Sequence, residues 1–322
     1  MTRPKILITR PWPQAAEDDL RQRYDVTVNT AAPLDREALI HAMHDYDALC
    51  ATVTDKLDAD VFATPNTRVK MIGNFGVGFE HIDVAAAKAA GIRVSNTPDV
   101  LTDATADIAL LLMLMTSRRA GEGERQLRAG GWKGWGTTHL MGQSLQGKTL
   151  GLIGFGRIGQ ATAHRAHTAL GMKIAYHNRR RVDAEIEGPL GATYVESADE
   201  LIRTADVVSL HCPGGAETRH LINAERLKTM KPTAILINTA RGSVVDEGDL
   251  ARALRDGVIA AAGLDVYEAE PTVHPDLLGL ENAVLLPHLG SATVETRVKM
   301  GLRVCANIDR FFAGEPLLDP VA

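Results

Sequence analysis

Three glycines at the end of an apolar run are the most constraining feature of this sequence. Residues 149–153 predict a strand, and Gly154, Gly156 and Gly159 follow in the spacing G-x-G-x-x-G, before a helical pattern over 157–170. In such a turn the first glycine permits a tight bend, the second lets the backbone approach a pyrophosphate, and the third lets the helix press on its strand. The helix N-terminus can then face an anion. The stretch predicts a dinucleotide site, with an ordinary glycine turn as the alternative.

The segments around this turn predict a doubly wound parallel sheet. Apolar runs typical of strands alternate with helical patterns, and parallel neighbours need such crossovers. The predicted strands lie near 149–153, 173–177, 192–195, 206–210, 234–238, 260–264 and 283–286.

The N-terminal part of the chain predicts another parallel α/β domain. Asp35 and Asp83 are the expected N-caps of two of its helices. Val77 and Gly78 lie in a glycine-bearing turn at the carboxyl end of a strand, where open α/β sheets hold their ligands, so we interpret this turn as the first substrate loop. The predicted strands are 5–9, 26–28, 48–53, 70–74 and 92–94, and the predicted helices are 14–23, 35–44 and 83–90.

The length of 322 residues favours two domains, because domains hold roughly 100 to 200 residues each. One long helix is predicted over 102–128, and the polar tail after it, with Trp132 and Trp135, is interpreted as a crossing between domains. A final helix over 293–312 is expected to return to the first domain. We expect a substrate-binding domain of residues 1–99 plus 290–322, a dinucleotide-binding domain of residues 100–289, and an active site in the interdomain cleft.

Composition narrows the class of protein. A net charge of −5 gives no whole-surface attraction for nucleic acid or anionic lipid. The most apolar stretch, 108–115, is too short to span a bilayer, and residues 1–10 lack the pattern of an export signal. Three cysteines without metal-ligand spacing indicate reduced thiols. These features predict a cytoplasmic protein that acts on a small molecule, without nucleic-acid or membrane partners.

Three polar residues each follow a predicted strand of the dinucleotide domain: Arg241, Glu270 and His288. Loops at the carboxyl ends of parallel strands point toward one crevice, so these side chains could converge there as an anion clamp, an orienting acid and a proton donor. Taken singly, each has a plainer interpretation as a surface cation, a turn residue or a structural histidine. Their joint placement favours the site.

Together with the glycine turn, these segments resemble the D-isomer-specific 2-hydroxyacid dehydrogenase family over essentially the whole chain. Within it the sequence is most similar to the glyoxylate/hydroxypyruvate reductase branch, through Val77-Gly78, the two tryptophans and the run Asn238-Thr-Ala-Arg-Gly. The resemblance implies two Rossmann-like or flavodoxin-like domains with parallel sheets, a small 2-oxo acid substrate and a homodimer.

The resemblance also implies roles for single residues. Arg241 would hold the substrate carboxylate and carbonyl, Glu270 would partner His288, and His288 would be the acid/base. Backbone near Val77 and Gly78 would hold the carboxylate. In addition, Asp265 would contact the nicotinamide amide, and Trp135 would close the substrate pocket of the neighbouring protomer. The expected cofactor-binding residues are Thr105, Gly154, Phe155, Gly156, Arg157, Ile158, Gly159, Asn178, Arg179, Arg180, His211, Cys212, Pro213, Thr239, Ala240, Arg241, Asp265, His288 and Gly290.

The chemistry of 2-oxo acid reduction agrees with these roles. Hydride addition to the carbonyl carbon develops negative charge on its oxygen, so a positioned cation and a proton donor are required. Arg241 and His288 fit them, and a carboxylate beside the imidazole favours its protonated form, which would raise the histidine pKa into the working range.

The end of the second strand of the dinucleotide domain predicts a preference for NADPH, with NADH also possible. About 20 residues beyond the glycine turn an NAD site usually places a carboxylate for the ribose 2′-OH. Here that position holds Asn178, and three arginines follow it, of which Arg179 and Arg180 are the candidates for a 2′-phosphate seat and Arg181 is a weaker one. The alternative is a solvated basic turn.

Other functions remain open at this point. A D-lactate, phosphoglycerate or phosphonate dehydrogenase would share the fold, as would a nucleotide-sensing binding protein. A serine hydrolase finds no nucleophile elbow, and Ser209 and Ser243 have no visible base partner. Two histidine pairs at helical spacing lack a third ligand, so no metal site is expected; they are His41 with His44 and His164 with His167.

Overall fold

The structure is a computed structural model that describes residues 3–321. The chain divides into two compact units, Met1–Leu101 with Ser291–Ala322, and Thr102–Gly290. The polypeptide therefore passes between the units next to the expected boundaries. The assignment of the first unit to substrate binding remains a prediction.

The helices and strands alternate along the chain, as predicted. The strands are β1 Lys5–Ile8, β2 Asp25–Val28, β3 Ala48–Ala51, β4 Met71–Asn74, β5 Arg93–Ser95, β6 Thr149–Ile153, β7 Lys173–His177, β8 Thr193–Tyr194, β9 Val207–Leu210, β10 Ile235–Asn238, β11 Ala261–Leu264 and β12 Ala283–Leu285. The helices are α1 Gln14–Arg21, α2 Arg36–Asp45, α3 Ala59–Phe62, α4 Val84–Ala89, α5 Thr102–Ser117, α6 Ala120–Arg128, α7 Arg157–Leu170, α8 Ala184–Glu187, α9 Ala198–Thr204, α10 Ala224–Thr229, α11 Glu247–Arg255, α12 Pro275–Leu278 and α13 Val294–Phe312.

The first unit is built on a parallel five-stranded sheet in the order β2-β1-β3-β4-β5. The Asp35 and Asp83 side chains accept hydrogen bonds from the first turns of α2 and α4, which confirms both as N-caps. The final helix, α13, lies in this unit and packs on α1 and β4. A Cβ built on Gly301 would lie 2.5 Å from the Cβ of Ala16, so only glycine permits this approach of the two helices.

The second unit is a parallel seven-stranded sheet in the order β12-β11-β10-β9-β6-β7-β8. The doubly wound sheet predicted from the alternation is confirmed. Hydrophobic clusters cover both faces of this sheet, and its central strands β9, β10 and β11 are wholly buried. Strand order reverses where β6 lies beside β9, and such a switch point opens a crevice at the carboxyl ends of the strands. The glycine turn follows β6 at this crevice.

The prediction of one long helix over 102–128 is wrong, because the structure has two helices there, α5 and α6. Arg119, between them, adopts the left-handed conformation with φ of 51°. The Gln143 backbone N–H donates to the Ser117 carbonyl oxygen over 2.7 Å and caps the end of α5. A tertiary contact therefore ends the first helix.

The segment with Trp132 and Trp135 lies inside the second unit, so its interpretation as a crossing between domains is also wrong. Both indole side chains are exposed, Trp135 to 84%. Among residues 3–321, no helix is long and apolar enough to cross a membrane.

Candidate active site

The glycine turn after β6 is so closely packed that two of its glycines are required by geometry. Gly154 has a φ of 94°, and a Cβ on it would lie 2.7 Å from the backbone of His211 and Cys212, the loop after β9. A Cβ on Gly159 would lie 2.4 Å from the carbonyl oxygen of Gly154. These contacts join the turn to the switch point and press α7 on the turn.

Gly156 has the opposite environment, because a Cβ on it would meet nothing within 4 Å. It is the N-cap residue of α7, and no side chain caps the N–H groups of that helix's first turn. Open space before a helix N-terminus without a side-chain cap fits a pyrophosphate. Arg157 and Ile158 begin α7 beside this space.

Phe155 contributes to the turn chiefly through packing. Its ring is fully buried and stacks on Tyr176 with centroids 4.2 Å apart. Its backbone N–H donates to Asn178 Oδ1 over 3.3 Å, which ties the turn to the end of β7. Only the backbone of Phe155 can therefore face a cofactor.

All three arginines of the basic loop after β7 are exposed, but only Arg181 is held by a bidentate ion pair. Arg179 and Arg180 are exposed, and the contact of Arg179 with Glu217 at 3.3 Å joins two side chains that are each more than 80% exposed. Arg181 instead donates two hydrogen bonds to the buried carboxylate of Glu187, over 2.9 and 2.7 Å. The weaker candidate for the 2′-phosphate seat is thus engaged elsewhere.

Two buried polar atoms near the switch point have no hydrogen-bond partner in the described part of the chain: His211 Nδ1 and Thr239 Oγ1. His211 follows β9 and Thr239 follows β10, with Ala240 next to it. Buried polar atoms usually have partners, and a bound dinucleotide supplies donors and acceptors at this edge of the sheet. Together with the space before Gly156, they fit a dinucleotide cofactor.

We expected no base partner for Ser209, and this prediction is wrong. Its hydroxyl lies 2.8 Å from His211 Nε2. Burial lowers the pKa of His211 to about 4, so this imidazole is neutral at pH 7. Ser209 is fully buried at the end of β9, where no substrate can reach it, so the pair does not restore a serine hydrolase.

Glu270 and His288 form a hydrogen-bonded carboxylate–imidazole pair at the centre of the site. Glu270 Oε2 lies 2.8 Å from His288 Nδ1, and the Tyr267 backbone N–H donates to Glu270 Oε1 over 3.0 Å. A carboxylate only accepts, so Nδ1 carries the proton and Nε2 remains for a substrate. Burial alone raises the pKa of Glu270, but the hydrogen bond and charge of His288, with the Tyr267 N–H and the charge of Arg241, outweigh burial and lower it.

The loop that carries His288 is held by Asp265. The Asp265 carboxylate accepts from the backbone N–H groups of Leu289 and Gly290, each over 2.7 Å. The Thr105 hydroxyl donates to the Gly290 carbonyl oxygen over 3.1 Å. Asp265 is buried, and burial raises its pKa despite these donors. Its expected contact with a nicotinamide amide stays a prediction beside this structural role.

The loop that carries Arg241 depends on two residues that the sequence reasoning did not single out. Asn238 accepts from the Ala240 N–H over 3.0 Å and donates to the Arg241 carbonyl oxygen over 2.9 Å, which shapes the turn after β10. A Cβ on Gly242 would lie 1.8 Å from the carbonyl carbon of Tyr267, so the Arg241 and Glu270 loops touch through backbone. The sequence signal for both was their place in the Asn238-to-Gly242 run.

The first unit presents Val77 and Gly78 on a braced loop after β4. Asn96 donates to the Val77 carbonyl oxygen and Asn74 to that of Gly78, each over 2.8 Å. These asparagine contacts fix the backbone of the loop. Its expected binding of a substrate carboxylate stays a prediction.

The second unit is therefore a dinucleotide-binding domain of the oxidoreductase type, with a glycine turn at the switch point of the sheet and an imidazole-carboxylate pair at neighbouring strand ends. Comparison with known proteins makes the class specific. Residues 110–290 match the family model described as D-isomer specific 2-hydroxyacid dehydrogenase, NAD binding domain. The chain belongs to this family of oxidoreductases, as the resemblance implied.

Relatives and solved structures extend the likeness to the whole chain. A glyoxylate reductase of Thermococcus onnurineus is 46% identical over 97% of this chain and 94% of its own. An NADPH-dependent glyoxylate/hydroxypyruvate reductase from Sinorhizobium meliloti, solved with NADP and malonate, is 38% identical with a TM-score of 0.88, over 100% of this chain and 97% of its own. A D-mandelate dehydrogenase from Rhodotorula graminis is 32% identical with a TM-score of 0.90, over 100% and 98%.

Proposed function

We propose that this chain reduces glyoxylate and hydroxypyruvate to the corresponding 2-hydroxy acids, of D configuration where the product is chiral, with NADPH as the preferred reductant. The Glu270–His288 pair, 2.8 Å apart beside the Arg241 loop, is the observation that carries the proposal. The names of the glyoxylate reductase relatives support the choice of substrates.

His288 serves as the acid/base of this reaction. A dinucleotide held at the glycine turn would supply the hydride that the carbonyl carbon of the substrate needs. His288 Nε2–H donates its proton to the carbonyl oxygen as negative charge develops there. The Nδ1–H of the same ring keeps donating its hydrogen bond to Glu270 Oε2, and this carboxylate fixes the tautomer and stabilises the imidazolium.

Arg241 binds the substrate anion. The fixed fork of a guanidinium matches a carboxylate bidentately, and its charge also polarises the neighbouring carbonyl. Its side chain folds over its own loop, because Nη1 donates to the Ala240 carbonyl oxygen over 2.7 Å. Arg241 thereby also contributes the positive charge that helps to lower the pKa of Glu270.

The preference for NADPH rests on the loop after β7. Asn178 is neutral where a carboxylate would repel a 2′-phosphate, and the exposed Arg179 and Arg180 are available to bind one. A hydrogen bond to a charged group contributes about 1.5–3 kcal/mol, so one gives roughly tenfold to a hundredfold discrimination and a second adds to it. A solvated basic turn without a ligand is the competing interpretation.

Steady-state assays of the purified chain test the activity. The substrate panel is glyoxylate, hydroxypyruvate, pyruvate and phenylglyoxylate, each with NADPH and NADH at equal low concentrations. We expect the highest kcat/KM with glyoxylate or hydroxypyruvate and NADPH. A maximum with phenylglyoxylate would place the chain with the mandelate enzymes instead, and binding of NADPH without turnover of any substrate would favour a nucleotide-sensing protein. Equal use of NADH and NADPH would exclude the proposed 2′-phosphate site.

A homodimer is part of the proposal. Large exposed apolar side chains concentrate in one stretch of the second unit, and such patches mark interaction surfaces. They are Leu111, Leu114, Leu127, Trp132, Trp135 and Met141. We take a second copy of this chain as the occupant of that surface. A cytoplasmic location stays a prediction.

A further inference from the structure

A buried tyrosine and a buried carboxylate lie beneath the basic loop after β7, and an arginine whose side chain is 64% exposed caps the carboxylate from the surface. The Tyr176 hydroxyl donates to Glu187 Oε1 over 2.6 Å, and Arg181 contacts both oxygens of the same carboxylate. Tyr176 is fully buried and Glu187 is 6% exposed. We call these three residues, Tyr176, Arg181 and Glu187, the loop anchor.

Hydrogen bonds hold the backbone on both sides of Arg179 and Arg180, and the loop anchor supplies the one on the far side, at Val182. The Val182 N–H donates to the Tyr176 hydroxyl over 3.1 Å, so the chain returns to the residue from which the loop departs. The Tyr194 hydroxyl donates to the Asn178 carbonyl oxygen over 3.3 Å, and the Asn178 side chain accepts from the glycine turn. Residues 178–180 are thus bounded at both ends by hydrogen bonds to the core of the domain.

The ion pair with Glu187 indicates that Arg181 belongs to the loop anchor and does not bind the ligand phosphate. Its guanidinium already forms a bidentate pair with a buried carboxylate, the strong geometry for such pairs. The hydrogen bond and charge of Arg181, together with the Tyr176 hydroxyl, lower the pKa of Glu187 to about 2, so the pair stays ionised at neutral pH. Recruiting Arg181 to a phosphate would leave that buried carboxylate without its cation.

We infer that the loop anchor is a positioning device for cofactor selection: it preorganises residues 178–180 so that Arg179 and Arg180 meet a ribose 2′-phosphate without first ordering the loop. The inference rests on the proposed function, since it presumes a 2′-phosphate ligand. A preorganised loop binds more tightly because less conformational freedom is lost on binding. The anchor residues themselves contact no phosphate.

The test measures the adenosine end of the cofactor alone. Calorimetry of the full chain with 2′,5′-ADP and with 5′-AMP reports the 2′-phosphate contribution as the ratio of the two Kd values. For Glu187→Gln we expect 2′,5′-ADP to bind about tenfold more weakly and 5′-AMP to change by less than about twofold. Glu185→Gln, on the exposed side of the same helix, is the matched control and should leave both unchanged.

Tyr176→Phe provides a second variant in case Glu187→Gln does not fold. It keeps the ring stacked on Phe155 and removes only the hydroxyl, so a smaller loss in the same direction is expected. Thermal unfolding of each variant checks that the domain is folded.

Four results would overturn the inference, the first three obtained with the variants and the fourth with the wild type. Tighter binding of 2′,5′-ADP by Glu187→Gln would show that the released Arg181 is itself a phosphate ligand. Equal weakening of both probes would show a merely structural role. Unchanged Kd values for both probes in a folded variant, with wild-type discrimination intact, would defeat the inference alone. Equal binding of both probes by the wild type would defeat the proposed NADPH preference as well.

Discussion

His288 is held in an uncommon backbone conformation, with φ of 55°. The left-handed region is unfavourable for most side chains but is tolerated by His, Asn and Asp, and strain of this kind gathers at functional sites. Its backbone N–H donates to the Asp265 carbonyl oxygen over 2.9 Å. Asp265 therefore holds the strained turn, because it accepts hydrogen bonds from the backbone N–H groups of His288, Leu289 and Gly290.

His288→Gln is expected to lower kcat by ~10²–10⁴-fold while the Kd for NADPH stays nearly unchanged, because the imidazole donates a proton only in the reaction. Stopped-flow reduction and fluorescence titration of NADPH separate the two effects. His288→Asn is the matched variant, since Asn tolerates positive φ and also lacks the proton donor. Retention of more than about a tenth of wild-type kcat in both variants would remove His288 as the general acid.

Glu270→Gln is expected to move the alkaline limb of the kcat/KM profile to lower pH by about one unit. The pKa of Glu270 is lowered, so its charge persists from neutral pH down through its usual titration range and favours the imidazolium of His288. The glutamine keeps a hydrogen bond but not the charge, so the imidazolium loses its proton earlier as pH rises. A pH profile that does not move would exclude Glu270 from the mechanism.

The convergence of the Glu270 and His288 side chains could be predicted from the sequence, whereas the residues that support them could not; the roles of the pair in the reaction stay predictions. Arg241, Glu270 and His288 have functional groups whose expected use is readable from type and place. Gly242 and Tyr267 act through backbone atoms that meet across a separation no local pattern encodes. The contact of Ser209 with His211 was not predicted for another reason. A strand turns alternate residues to the same face, but His211 lies in the loop after the strand, and the conformation of that loop decides whether the two side chains touch.

At the scale of elements, Gly242→Ala tests whether the Arg241 and Glu270 loops must touch. An added Cβ would overlap the Tyr267 carbonyl carbon, so the loops must separate. We expect a loss of about 1–3 kcal/mol in unfolding free energy from overpacking and about a 10²-fold loss in kcat/KM from misplacement. Urea unfolding and steady-state assays measure these.

Gly279→Ala is the control for this change, because a Cβ there meets nothing within 4 Å. It should leave both stability and kcat/KM near their wild-type values. Wild-type activity in Gly242→Ala would mean that the two loops can part without harm to the site.

The buried carboxylate of Asp319 binds the segment after α13 back to that helix. Asp319 accepts two hydrogen bonds from Arg303, over 2.6 and 2.8 Å, and one from Asn307 over 2.9 Å. Burial alone raises the pKa of Asp319, but these donors outweigh it, and the pKa is lowered. The next residue, Pro320, forms a bridge with Ser95 at the end of β5.

Asp319→Asn is therefore expected to lower the free energy of unfolding by about 1.5–3 kcal/mol at pH 7. A depressed carboxyl pKa stabilises the fold above the unfolded pKa of about 3.9, and this contribution is lost as pH falls through the lower folded value. Urea unfolding from pH 7 to pH 3 should show wild type and variant converging in acid. A constant difference over that range would contradict the ionic account.

Helix ends differ in how far the sequence foretells them. Asp35 and Asp83 cap their helices with their own side chains, so a local pattern sufficed. The end of α5 depends on a hydrogen bond from Gln143, which is distant in sequence. Residues 118 and 119 are arginines, so no proline or glycine there indicates that the helix ends. Periodicity continued across the break, and the prediction followed the periodicity.

At the scale of the whole molecule, the sequence foretold two parallel α/β units because alternation of strands and helices is a local property. The order of the seven strands is not local: β6 pairs with β9, and that pairing makes the switch point beside the glycine turn. The glycine motif allowed the crevice to be predicted without the strand order. The final return of the chain to the first unit came from the last helix pattern together with the family resemblance.

Trp135 carries the prediction that belongs to the assembled protein. An indole exposed to 84% on a polar, glycine-rich segment is typical of an interface anchor, and such residues contribute about 2 kcal/mol or more to association. Trp135→Ala is expected to weaken the homodimer about 30-fold in sedimentation equilibrium, and to raise KM and blur discrimination among 2-oxo acids if the indole closes the partner's pocket. Leu278→Ala, also an exposed apolar residue at 66%, is the control outside that segment. A wild-type monomer would refute the dimer, and a dimeric Trp135→Ala variant with unchanged KM and unchanged substrate discrimination would refute the pocket role.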